Sequence, residues 1–234
     1  MARERRVLRA LAAAVALALG VAVAGCVTFV ARVNPALEAA AGTGEPLVVY
    51  DALEALIEAR QDTPGDRAFA YDAVRRIDER SAADTYARAA ITGRLVQQRG
   101  LRAAHLVREI ERYAWRSREL DPTFRAGAAT RLLGTLYVAA PASLLQQGDS
   151  ERGLALLEEL AAERPDALEN QLRLAEAYVA LGDPGPAKEP LCRCAGSRER
   201  LGRDDRELLE SLLEQSGPLS CAYVDVATPP APLR

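Results

Sequence analysis

Three observations predict an all-α fold of stacked helical hairpins for this chain of 234 residues. Apolar side chains recur with the helical period of 3.6 through most of its length. Breakers cut that pattern into segments of helix length. Aromatic residues make up only 5% of the chain while alanine is abundant, which favours an interior of close helix contacts over one of large side chains. Strand signals are scarce: Val48-Val49 is the one β-branched pair near the start of the body, and it merges into a helical pattern within four residues.

The N-terminus carries Arg3, Arg5, Arg6 and Arg9, then an uncharged run from Ala10 to Ala31, with Val23-Ala24-Gly25-Cys26 inside it. A basic flank, an apolar stretch and small residues before the cut are what export signals require. This arrangement resembles a bacterial lipoprotein signal. The resemblance implies removal of residues 1–25, acylation of the Cys26 thiol and a mature protein held to a membrane by lipid. The alternative is an uncleaved anchor, because about 20 apolar residues span a bilayer as a helix. In either case the positive flank stays inside and the remainder is exported. Val27 stands where an aspartate would be associated with inner-membrane retention, which makes the periplasmic side of an outer membrane the expected address.

Loss of the leader removes four arginines and one glutamate, so the formal charge goes from -3 to -6. A net acidic body argues against a nucleic-acid binder, whose phosphate contacts need a basic face. Residues 26–46 are expected to form a lipidated tether, since Asn34 to Pro46 is rich in small residues, glycine and proline. Gly42-Thr-Gly44 within it lacks the preceding strand and following helix start of a phosphate loop.

The body is expected over residues 47–217. Tyr50, Leu53, Leu56 and Ile57 share one helical face, followed by Ala70, Val74 and Ile77, then Leu106, Ile110, Tyr113 and Ala114. Breaks fall at Thr63-Pro64-Gly65, Arg99-Gly100, Asp121-Pro122, Gly148-Asp149, Arg164-Pro165 and Gly182-Asp183-Pro184. A last helix from Asp204 to Gln215 is expected to cap the array. Thr228 to Arg234, with three prolines, ends a C-terminal tail over residues 218–234.

Two stretches repeat one another. Leu133-Gly134-x-x-Tyr137, Gly148-Asp149, Ala155-Leu156-Leu157 and Pro165-Asp166 correspond to Leu174-Ala175-x-x-Tyr178, Gly182-Asp183, Ala187 and Leu191. This resembles the tetratricopeptide repeat. The spacing of 41 exceeds that repeat's period of about 34, and residues 140–146 accommodate the surplus by lengthening the turn between helices. An earlier unit, with its first helix over Tyr86–Gln98, departs further from the pattern; Ala90 and Gly93 are its candidate close-contact positions. Small residues at Gly134, Ala175 and Ala187 would let helices approach, Tyr137 and Tyr178 would fill the space between units, and stacking would give a short superhelix with a concave side. A generic antiparallel bundle is the alternative with the same periodicity. The order of these motifs over about residues 62–192 also resembles the exported TatT-like proteins associated with TRAP transporters.

In an exported protein Cys192, Cys194 and Cys221 are expected to include a disulfide. Residues i and i+2 of a helix point apart, so Cys192 and Cys194 should not pair; Cys194 with Cys221 is the expected staple, with Cys192 as the alternative partner. A three-thiol metal site is the less favoured option, because no histidine lies near. His105 is the only histidine and has no nucleophile or carboxylate at a recognisable spacing, so no catalytic residue, metal or cofactor is expected. Two functions from different classes follow. One is a membrane-tethered adaptor in the cell envelope, binding a protein or peptide through the first-helix residues Arg131, Thr135, Glu169, Arg173 and Glu176, assigned from repeat geometry alone. The other, implied by the TatT resemblance, is an accessory of a periplasmic transport system that works with a substrate-binding protein and takes a small or apolar ligand.

Overall fold

The computed structural model describes residues 32–217 and 221. The leader 1–25, the lipidation site Cys26 and, Cys221 apart, the tail 218–234 lie outside the described residues. Within them every regular element is helical.

The chain joins the body earlier than expected. Residues 35–42, assigned to the tether, form helix α1 (Pro35–Gly42), and Pro46 opens α2 (Pro46–Glu58). The cause is local. The Asn34 side chain accepts from the Ala36 amide at 3.0 Å, Pro35 occupies the first helical position where its missing N–H costs nothing, and Leu37 is fully buried.

Helix α2 opens the first of four hairpins, and most of their boundaries fall at the breakers. Helix α3 (Pro64–Val74) starts with a capping box between Thr63 and Asp66, and α4 (Ala82–Arg99) with another between Ser81 and Asp84. Ile77, expected on α3, lies beyond its end. A 3₁₀ turn over Gly100–Leu106 leads into α5 (Val107–Leu120). Helix α6 (Ala128–Ala139) is joined to α7 (Ser150–Glu163) by the long turn that absorbs the surplus of the repeat, with Asp149 capping the Arg152 amide at 2.9 Å. Then come α8 (Leu168–Ala180), α9 (Lys188–Gly196) and the last helix, α10 (Arg203–Ser216).

The small residues separate into those that set helix distances and those that do not. A Cβ at Gly134 would lie 2.6 Å from Leu157 Cγ, and one at Gly153 would lie 2.8 Å from the Gly134 carbonyl oxygen. These two glycines bring α6 and α7 together, whereas Ala155, in the repeat motif on α7, is exposed. Gly93 likewise sets no distance: a Cβ there would meet nothing within 4 Å. Tyr137 is 1% exposed and lies in the space between units; its hydroxyl accepts from Trp115 Nε1 at 2.7 Å and donates to Glu111 at 2.9 Å. The core is a series of clusters handed from hairpin to hairpin, as in repeat architectures where each unit contacts its neighbours.

The cysteines correct the expected pairing. Cys192 bonds to Cys221, with Cα atoms 5.4 Å apart, and Cys194 is a free thiol. Cys194 shares the inward face of α9 with Leu191, is fully buried and sits 3.5 Å from the Leu168 carbonyl oxygen, so it is unavailable to the tail. Burial pushes its thiol up to about 12.

Helix α10 covers the end of the last hairpin through Leu209 and Leu212 and also reaches the first. Arg60 pairs with Glu207, the Glu58 carboxylate accepts the Arg203 amide at 2.8 Å, and Arg94 lies 3.5 Å from Asp204. The superhelix is thereby closed by side chains of its first two hairpins and its last helix.

Candidate functional site

Alternate helices line the inside of this closed array. Tyr50 and Glu54 come from α2; Tyr86, Ala90, Gly93, Arg94 and Gln97 from α4; Ala128, Arg131, Leu132 and Thr135 from α6. Glu169, Arg173 and Glu176 come from α8, and Asp205 from α10. They surround a polar cleft of about 330 Å³. All five residues assigned to partner contact from repeat geometry are on its wall.

Most of its charges are paired within the chain. Arg94 grips Glu54 with two bonds of 2.7 and 2.5 Å. Arg173 donates to Glu176 at 3.0 Å and to Asp205 at 2.6 Å. Arg131 differs: its guanidinium donates to Asn170 at 2.6 Å, and the fully buried Asn170 carboxamide is itself anchored on the Ala126 carbonyl at 3.0 Å. Among the described residues, neither Arg131 nor Glu169 has an ion-pair partner within the chain. The cleft therefore offers one held positive and one negative charge to an incoming group. At the rim the Tyr50 and Tyr86 hydroxyls are 3.3 Å apart with their rings edge-on, and burial, then the neighbouring Tyr86, pushes the Tyr50 hydroxyl well above the ordinary tyrosine range.

A second, apolar cleft of about 390 Å³ adjoins the first, and Gly93, Gln97, Leu132 and Thr135 belong to both. Its wall includes Val96, Val107, Ile110, Leu136 and Leu144. Gly93, which sets no helix distance, leaves the shared boundary open. The Thr135 hydroxyl at this boundary is buried and makes no hydrogen bond among the described residues.

Tyr50, Glu54, Tyr86, Arg94 and Asp205 were not singled out in the sequence. The signal that could have found them is the alternation itself: α2 and α4 occupy the same hairpin position as α6 and α8, so their inner faces extend the same wall. Asp205, on the capping helix, had no such signal. His105, the only histidine in the sequence, is exposed on the 3₁₀ turn and lines neither cleft. Among the described residues no group of three or more His, Cys, Asp or Glu side chains is gathered as metal ligands would be.

A family model of the tetratricopeptide repeat matches residues 144–191. The segment takes in the Gly148-Asp149 turn, all of α7 and α8, and the start of α9. No curated protein matches the chain. The tetratricopeptide match and the all-helical hairpin arrangement agree, and helical hairpins of this type commonly serve protein–protein interaction.

Proposed function

We propose that this chain is a membrane-tethered adaptor of the bacterial cell envelope, which holds a protein or peptide in the cleft formed by alternate helices. The observation that carries the reading is the convergence of α2, α4, α6, α8 and α10 on one polar wall where Arg131 is held in place without a carboxylate partner among the described residues. A fixed guanidinium costs less to order on binding than a free one, and the adjacent Glu169 favours a partner carrying both signs of charge. The tether rests on sequence: the basic flank, the apolar run and the small residues before Cys26. No catalytic step belongs to this reading.

A photoreactive residue at Thr135 tests it in intact cells. The expected result is a discrete adduct with one envelope protein from Thr135, and none from Glu159 on the outward helix α7. Adducts of equal yield from both positions would overturn the cleft as the binding surface. Mass analysis of the Cys26 peptide tests the tether separately: an acylated N-terminal cysteine is expected, and an intact leader without acyl groups would refute it.

The adjoining apolar cleft favours a second reading, a TatT-like accessory of a TRAP-type transport system that takes a small or apolar ligand beside a periplasmic substrate-binding protein. Extraction of the purified chain into organic solvent distinguishes the two: a stoichiometric apolar compound supports the accessory, and an empty extract with a retained protein adduct supports the adaptor.

A further inference from the structure

Between Asp84 and Glu109 the chain carries five arginines and no acidic residue, although it is net acidic as a whole. Arg88 and Arg94 are ion-paired. Arg99, Arg102 and Arg108 are exposed and, among the described residues, pair with no carboxylate. They surround the turn between α4 and α5, from which Leu101 projects with 88% of its surface exposed. The other large apolar side chains that reach the surface are at most 43% exposed. Single exposed leucines are ordinary, but one set among unpaired arginines beside an apolar cleft that it helps to line is a different feature.

The chain joins the body at this same end. The Asn34 amide donates to Asp66 at 2.7 Å, and the next residue, Arg67, donates to the Arg94 carbonyl at 3.3 Å, one turn from the tip. Val33 and Leu37 share a core cluster with Ala103 and Leu106 of the tip itself. Only eight residues separate Cys26 from Pro35, and eight extended residues reach at most about 29 Å.

We infer that the α4–α5 turn is a membrane-contact tip, in which Arg99, Arg102 and Arg108 bind the anionic headgroups of the bilayer and Leu101 enters its interfacial layer. The inference rests on the proposed lipid tether, which keeps this end of the body within reach of that surface. Arginines near an anionic bilayer each favour contact about fivefold, and an apolar side chain adds to this by burial among the acyl ends. The contact fixes the orientation of the cleft relative to the membrane, a property that a flexible tether alone would not provide.

The test uses the full chain, isolated from its own membranes and reconstituted into vesicles, with Leu101→Trp as the probe and the unsubstituted chain, whose one tryptophan is Trp115, as the baseline. In phosphatidylglycerol vesicles the added tryptophan is expected to show blue-shifted emission and quenching by brominated acyl chains beyond that baseline. Both signals should weaken in phosphatidylcholine vesicles. They should also weaken when Arg99→Gln and Arg102→Gln are added, by roughly fivefold per arginine in the partition of the tip. Emission unchanged from the water-exposed value in both lipids would overturn the inference, and so would quenching that ignores lipid charge and the arginine changes. The mass of the Cys26 peptide from the same preparation separates the two readings. An acylated Cys26 with a silent tip refutes the tip alone; a responsive tip on a chain without acyl groups refutes the tether alone.

Discussion

Glu111 shows how much one side chain can fix. It is 1% exposed, and its carboxylate accepts from the Tyr137 hydroxyl at 2.9 Å and from the Gln146 and Gln147 amides at 2.7 Å each. The long α6–α7 turn is therefore held by a residue on α5, from the preceding hairpin. Glu111→Ala leaves three donors without their acceptor and should cost roughly 3 kcal/mol, read as a lower denaturant midpoint together with faster proteolysis inside residues 140–149. Tyr137 predicts an alkaline response. Burial pushes its hydroxyl up to about 12, opposed by the Trp115 hydrogen bond and reinforced by Glu111; burial and Glu158 push Tyr178 up to about 12 as well. Unfolded tyrosine ionises near 10, so between the two values the folded chain holds more protons than the unfolded one. This stabilisation is complete below about pH 10 and is lost as the pH rises towards about 12. Denaturant midpoints measured across that window should fall steadily, and a level profile would contradict the assignment. The cysteine assignment failed at this scale because spacing shows only that positions 192 and 194 point apart. Which of them faces the core depends on α9 presenting Leu191 and Cys194 to α8.

At the scale of the element, the α6–α7 hairpin depends on Gly134 and Gly153. A methyl at Gly153 would meet the Gly134 carbonyl oxygen at 2.8 Å and the Val138 nitrogen at 3.0 Å, backbone atoms that cannot turn aside. Gly153→Ala should destabilise by about 1–3 kcal/mol through overpacking, despite the better helix propensity of alanine. Gly93→Ala meets no neighbour and should stabilise by up to about 1 kcal/mol. Calorimetry on the pair checks both signs. The helices themselves were legible, because proline, glycine and aspartate at their ends act locally. Helix α1 differs from the expected tether for a local reason. Asn34-Pro35 is a start signal as well as a loop signal, and its single buried leucine, Leu37, is too little periodicity to decide between the two. Gly153 lies outside the repeated motif, whose small residue on α7, Ala155, is two positions on and faces solvent.

At the scale of the molecule, the stacking of hairpins and the wall formed by α6 and α8 follow from repeat spacing, while closure does not. Arg60 and Glu207 are 147 residues apart and carry no common pattern. Closure converts an open concave strip into a cleft bounded on five sides, and the packing of α10 on α8 brings Asp205 to Arg173. The central claim is that this inner wall binds a protein partner. The most direct measurement compares partner recovery from solubilised membranes for Arg131→Glu, inside the cleft, and Glu159→Arg, on the outward helix, with both variants matched to the unsubstituted chain in thermal stability. The account predicts that Arg131→Glu loses the partner crosslinked through Thr135 and that Glu159→Arg retains it; equal retention or equal loss in the two variants would contradict it.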